Sequence, residues 1–386
     1  MIYTAPKLNS LELRVLEEVV SIRERLKHAL RTPRRWDGLL RRNHLARAIR
    51  GSNSIEGYNV TAEDAIAAVE GEEPLDAEKE TWAAIQGYRD AMTYVLSLSD
   101  DPFFNYGENL IRGMHFMMLK YDLSKHPGRW RPGSIFVRDD QRQEVVYEGP
   151  DVDLVPHLMA ELVGSLNEKG DADQAIVRAA MSHLNLTMIH PFSDGNGRMA
   201  RCLQTLVLAR EGILQPQFSS IEEYLGRNTM DYYNVLTAVG QGKWSPENDA
   251  RPWVEFCLTA HFRQANILVR RIKETERLWD AIEHEVSLRK LPERVILALA
   301  DAAVGLRIRN ATYRNIAGIS DFVASRDLKQ LVDYGLLLGT GEKRGRFYVA
   351  SPQIRDLRLR TREPRSPRDD PFGMDHGPYL PGLEPV

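Results

Sequence analysis

Nine residues near the middle of the chain, HPFSDGNGR from His190 to Arg198, gather an imidazole, a carboxylate, two glycines, an amide and a guanidinium. Such a set can act on an anion. Gly195 and Gly197 permit positive φ and close backbone approach, so that successive N–H groups can converge on one point. A helix starting there adds its positive end. Arg198 and Arg201 lie three apart and share a helix face. Two guanidinium forks beside an N–H nest suit a polyphosphate. Asp194 adds a hard oxygen of the kind Mg²⁺ accepts, its other positions filled by water and phosphate. His190, whose ordinary pKa is roughly 6.5, suits a general base near neutrality.

Two helices must hold this set. Upstream, Ile176, Ala179, Ala180, His183, Leu184, Thr187 and Met188 follow helical spacing. Downstream, Met199, Cys202, Leu203, Leu206 and Val207 do the same, with Gly212 as a stop. The motif is thus a helix–loop–helix joint, with Pro191 setting the backbone and Phe192 anchoring the loop. Nearly everything up to about residue 288 reads as helix, including Asn9 to Leu30, a start at Thr61, and Asp76 to Leu98. One stretch breaks the rule: Gly128 to Gly149 holds two β-rich runs, IFV and VVY, around a polar turn, the pattern of a hairpin.

The full string HPFSDGNGRMAR, His190 to Arg201, matches the HPFx[DE]GNGRxxR signature of the Fic family at every fixed position, and the chain resembles that family over roughly residues 35 to 260. The resemblance implies a mainly α fold, a Fic-type helical core with a small β-hairpin flap. It implies a protein adenylyltransferase that moves AMP from ATP to a Ser, Thr or Tyr hydroxyl of a target protein or of itself. His190 would deprotonate that hydroxyl and Asp194 would hold Mg²⁺. Gly195, Asn196 and Gly197 would cradle phosphate oxygens, and Arg198 and Arg201 would neutralise the leaving pyrophosphate. Tyr232 and Asn228 are candidates for the neighbourhood of the base. Ile135, Phe136 and Val137 are candidates for a strand edge on which a target segment docks.

A second motif, SNSIEG, matches the S-x-x-x-E-G pattern of Fic proteins with an N-terminal inhibitory helix. Ser52 and Glu56 lie four apart on one helical face, and Gly57 suits a helix stop. By this resemblance Glu56 would pair with Arg201 and put a carboxylate where the polyphosphate must lie. Glu56 could instead activate water and remove AMP from a modified target, and the sequence leaves the two directions open.

Beyond the core, a linking helix is expected over 263–290, then a different module. A helix over Glu293–Val304, a short one over Thr312–Ala317, a third over Phe322–Tyr334 and two short strands around GEKRGR resemble a winged helix-turn-helix. The expected division is 1–100 for an N-terminal helical region carrying the inhibitory helix at about 50–58, 101–262 for the Fic core, 263–290, 291–355 for the winged helix-turn-helix, and a proline-rich disordered tail over 356–386. The third helix mixes Arg326 and Lys329 with Asp321, Asp327 and Asp333. DNA is therefore one candidate partner and a second copy of the chain another, and a DNA-binding regulator with a nucleotide-sensing core stands as the alternative function.

The bulk numbers agree with a globular chain of more than one domain. Its 386 residues exceed one ordinary domain, 43% are hydrophobic and 27% charged, and the net charge of −3 carries no whole-chain mark of nucleic-acid binding. Cys202 and Cys257 fit buried positions in a reducing compartment. No run approaches about 18 apolar residues and the N-terminus lacks a signal-peptide pattern, so a cytoplasmic, membrane-free protein is expected.

Overall fold

The structure is a computed structural model that describes residues 1–139, 144–168, 174–212, 216–341, 345–364 and 370–373. Sixteen α-helices, two short 3₁₀ helices at Leu123–Lys125 and Val152–Leu154, and four short strands account for the regular elements among them. The helices are α1 Ser10–Arg31, α2 Asp37–Ile55, α3 Ala62–Glu70, α4 Lys79–Leu98, α5 Glu108–Leu119, α6 Val155–Asn167, α7 Ala175–Ile189 and α8 Asn196–Arg210. They continue with α9 Pro216–Ser219, α10 Glu222–Arg227, α11 Thr229–Gly240, α12 Arg251–Leu288, α13 Val295–Ala303, α14 Asn310–Ala317, α15 Asp321–Asp333 and α16 Pro352–Arg360. Strands β1 Phe136–Asp139 and β2 Glu144–Glu148 form one antiparallel pair, and β3 Leu337–Thr340 and β4 Phe347–Ala350 another.

Local chemistry fixes the ends. Asn9 caps α1 in a capping box with Glu12, and the Thr61 hydroxyl caps α3 by accepting from the Asp64 N–H. The α7–α8 pair forms the centre of the core. Leu184, Leu186, Ile189, Phe192, Met199, Leu203 and Leu206 are fully buried there against Trp253 and Leu258 of α12. Both cysteines are buried and free.

The hairpin lies where the alternating runs predict it, with its tip, 140–143, outside the described residues. Phe136 pairs with Glu148 and Val137 with Tyr147, and the register shifts between Val137 and Arg138. The Tyr147 hydroxyl donates to the Met188 carbonyl at 2.7 Å, which pins β2 to the end of α7. Glu148 is tied in turn to the 242–244 turn through Gly242 and Trp244. Among the described residues β1 has no second strand neighbour, so its outer edge is open. Ile135 precedes the strand, its carbonyl accepting from the Gly149 N–H.

Three boundaries differ from the sequence expectation. The linking helix does not begin at 263: α12 is one helix of 38 residues from Arg251, because Pro252 lies in its first turn, where proline is tolerated. The inhibitory helix expected at about 50–58 is the last part of α2, which ends at Ile55. Ser52 lies in the last turn of α2, Glu56 is its C-cap and Gly57 follows at φ +83. The tail expected over 356–386 starts inside α16, whose Arg358 reaches Glu274. Phe372 further on packs against the core, while 365–369 and 374–386 lie outside the described residues.

After α12 the elements run α13, α14, α15, β3, β4, with Ile308 bridging Tyr348 beside the second pair. Lys343 and Arg344 of the expected basic tip lie outside the described residues.

Candidate active site

The loop between α7 and α8 is held by its own residues. α7 ends on His190, which takes a left-handed conformation at φ 52. Its Nδ1 lies 3.1 Å from the Thr187 carbonyl, so Nδ1 carries the proton and Nε2 keeps a lone pair. Burial lowers the His190 pKa from its ordinary value, which keeps the imidazole neutral near pH 7. Arg131, at the base of the hairpin, donates to the His190 carbonyl at 3.0 Å, and its own N–H donates to the Pro191 carbonyl at 2.8 Å.

Asn196 closes the loop. Its Oδ1 accepts from the Phe192 N–H at 2.9 Å and its Nδ2 donates to the Phe192 carbonyl at 2.8 Å. The amide expected on phosphate is therefore engaged in shaping the turn, and anion contact falls to the backbone. Gly195 is the left-handed N-cap of α8, at φ 77. The first intrahelical bond runs from Met199 N–H to the Gly195 carbonyl, and the Gly195 N–H donates to Asp194 Oδ1 at 2.6 Å, so the N–H groups of Asn196, Gly197 and Arg198 remain for an anion.

His115 of α5 fixes the other side. Its Nδ1 accepts from the Gly128 N–H at 2.8 Å, and its Nε2 lies 2.9 Å from the Asp194 carbonyl, which it must therefore donate to. It stacks on Phe192 at 3.7 Å. Burial pushes its pKa down to about 4, consistent with a neutral ring in that tautomer.

The two arginines are buried, each 1% exposed. Arg201 donates to the Ser52 hydroxyl at 2.7 Å, the Ser52 carbonyl at 3.0 Å and Glu56 Oε1 at 2.7 Å. Burial alone would lower the Arg201 pKa, but the Glu56 carboxylate outweighs it and raises it. The same carboxylate lies on the start of α8: a Cβ added to Gly197 would meet Glu56 Oε1 at 2.4 Å. Glycine at 197 is thus what lets the acid reach the helix N-terminus. Nε and Nη1 of Arg198 and Nη1 of Arg201 have no hydrogen-bond partner among the described residues.

Asp194 lies 2.9 Å from Lys125 Nζ and 4.0 Å from Arg198 Nη2. Burial would raise its carboxyl, but the hydrogen bond from Lys125 and the charge of Arg198 hold it below its usual range. Lys125 also reaches the Tyr58 hydroxyl at 3.2 Å, and Arg198 sits over the Tyr58 ring at 5.0 Å. Lys125, Tyr58 and Arg131 were not singled out in the sequence. Each lies far along the chain from the motif and carries no local pattern that would mark it.

The remaining candidates are placed as follows. Phe136 is 48% exposed at the open strand edge, with Val137 beside it packed on the core. Tyr232 is 1% exposed, its hydroxyl 2.9 Å from His183 Nε2 and its ring against Trp253. Asn228 donates to the Tyr224 carbonyl and lines a separate cavity that contains none of residues 190–201. The structure brings neither of these two to an open position beside the motif. Among the described residues no cluster of three metal-ligating side chains occurs.

The fold and site define a helical domain in which a loop-and-helix anion nest, two buried guanidiniums and a neutral imidazole face one place. Residues 105–208 match the Fic/DOC family model. The chain is 29% identical over 211 residues to the protein adenylyltransferase Fic of Nematostella vectensis, covering 53% of this chain and 44% of that one. It is 33% identical over 120 residues to protein adenylyltransferase fic-1 of Caenorhabditis briggsae, covering 30% and 21%. The chain thus spans less than half the length of these curated relatives. Among solved structures, a Fic family protein from Desulfovibrio desulfuricans G20 superposes with a TM-score of 0.58 at 24% identity, over 91% of this chain and 99% of that one. A Fic-1 fragment from Caenorhabditis elegans does so with a TM-score of 0.52 at 22% identity, over 68% and 73%. These likenesses concern the fold.

Proposed function

We propose that this chain is a protein adenylyltransferase, transferring AMP from ATP to a Ser, Thr or Tyr hydroxyl of a target protein or of itself, and that Glu56 restrains it. One observation carries the reading: a carboxylate lies in the anion nest against Gly197 and Arg201 while three guanidinium nitrogens of the arginine pair have no partner among the described residues. A buried donor without a partner costs roughly 1–3 kcal/mol, and a polyphosphate would satisfy all three.

In the transfer, Nε2 of His190 takes the hydroxyl proton. The oxygen forms a bond to the α-phosphorus, the α–β phosphoanhydride bond breaks, and pyrophosphate leaves with its charge. The N–H groups at the start of α8, with Arg198 and Arg201, hold that charge, a task of positioning and electrostatics. Asp194 would hold Mg²⁺, which would neutralise phosphate charge. The position already takes a cation, the Lys125 ammonium at 2.9 Å. A lone carboxylate suits an ion whose other ligands are water and phosphate. The open edge of β1 at Phe136 suits a docked target segment by strand addition.

With Glu56 on Arg201, the γ-phosphate of ATP loses that guanidinium and meets a carboxylate. The expected result for Glu56→Gly protein incubated with ATP and Mg²⁺ is a mass gain of one or more AMP groups by intact-mass spectrometry. A gain only with another nucleoside triphosphate would change the donor, and no gain with any would sink the reading.

The order of elements from α13 to β4 supports a winged helix-turn-helix. Asp327 of α15 is turned to Arg294 and away from any ligand, and the exposed face mixes charges, which favours a protein surface over DNA as its partner. No helix among the described residues is long and apolar enough to cross a membrane. We place the reaction in the cytoplasm, where ATP is available.

A further inference from the structure

A second basic cavity, of about 550 Å³, lies on the far stretch of α2, walled by α2, α10, α12 and α16. Seven arginines line it against two glutamates, Glu274 and Glu363. A third acid, Glu223, lies buried beneath. It takes both N–H groups of Arg271 at 2.6 and 2.7 Å, one of Arg227 at 2.6 Å, and has Arg47 at 3.6 Å. Arg263 aside, six arginines face three glutamates among the described residues, so positive charge exceeds negative in one concave space.

That excess is held under strain of like charge. Burial lowers the Arg47 pKa to about 10, and the neighbouring guanidiniums of Arg271 and Arg227 add to the effect. His44, 5% exposed on the same wall, has an Nε2 without a partner among the described residues. Burial, with the charges of Arg271 and Arg47, pushes its pKa down to about 3. Guanidinium forks recognise phosphate groups bidentately. A concavity of this size fits a small molecule, whereas a duplex would need a long open stripe.

We propose that this cavity binds a small polyanion carrying two or more phosphate groups. The proposal stands on residues other than those of the Fic motif and does not depend on the adenylyltransferase reading. The ligand would pair with Arg47, Arg227 and Arg270, leaving the bidentate Arg271–Glu223 pair intact.

Isothermal titration with inorganic triphosphate on the full chain at low salt tests it. The motif can also bind triphosphate, so three proteins are compared: the parent chain, Arg198→Gln in the motif, and Arg47→Gln with Arg227→Gln in the cavity. Arg198→Gln is expected to keep a binding event that the double cavity variant weakens at least tenfold. Loss of all binding in Arg198→Gln, or parent-like binding by the cavity variant, overturns the site. A parallel titration with a nucleoside diphosphate identifies the source: tighter binding than triphosphate assigns a nucleotide, weaker binding a free polyphosphate. Should the double variant fail to fold, phenylglyoxal labelling of the Arg198→Gln chain decides. Triphosphate must protect Arg227 and Arg270 from modification, and unprotected arginines overturn the proposal.

Discussion

Two helix–turn–helix joints in this chain are built alike and resolve their buried charge in opposite ways. The joint from α14 to α15 turns on left-handed Gly318, and the Ser320 hydroxyl caps the next helix. Its buried acid, Asp327, is fully paired: it accepts from Arg294 at 2.6 and 2.9 Å and from the Tyr313 hydroxyl at 3.0 Å. The joint from α7 to α8 turns on left-handed His190 and Gly195, but leaves three buried guanidinium nitrogens of Arg198 and Arg201 without partners among the described residues. Buried polar groups are ordinarily paired. A joint that closes its own charge is built for structure, and one that leaves donors over is built for a ligand.

The comparison can be broken most directly at the imidazole. His190→Ala is expected to reduce AMP transfer by about 10²–10⁴-fold, with unchanged thermal stability, even when Glu56 is also replaced; labelled-ATP incorporation measures this. Next comes the acid in the nest. Charge-assisted hydrogen bonds contribute about 1.5–3 kcal/mol, so Glu56→Gly should raise self-modification by about ten- to a hundredfold. An unchanged rate in the same assay would remove Glu56 from control.

Acid should act on the buried histidines of the helical core. His44, His183 and His261 are buried and neutral, and burial lowers all three, the first two to about 3. The unfolded chain binds the protons that the folded chain refuses. Stability is therefore whole above about pH 6.5 and falls below it, by up to about 1.4 kcal/mol per histidine per pH unit. Urea midpoints between pH 7 and 5 should fall accordingly; a flat profile would contradict the burial. The smallest effect belongs to the α14–α15 joint. Asp327→Asn should lower stability by about 2 kcal/mol in the same denaturation experiment and leave AMP transfer untouched.

The sequence disclosed what was contiguous. The 190–201 string shows its nest and its arginines because their roles follow from adjacency and helical spacing, and the hairpin shows itself through β-rich runs in helical surroundings. Lys125, Tyr58 and Arg131 were illegible because each meets the motif only through tertiary packing. Asn196 misled for a related reason. An amide next to two glycines looks free for a ligand, and only the fold reveals that Phe192 holds both its ends. The start of α12 was hidden by Pro252, which reads as a break yet suits a first turn.

Gly51 of α2 and Gly226 of α10 touch backbone to backbone. A Cβ on Gly51 would fall 2.5 Å from the Glu222 carbonyl oxygen, and one on Gly226 would fall 2.6 Å from that of Gly51. With no side chains between them to repack, α2 can neither roll nor slide at that point without dragging α10 along. Freedom for Glu56 must then arise downstream of residue 51, by fraying the final turn about Gly57, so that activation would resemble a latch lifting from a fixed post more than a lever swinging through the domain.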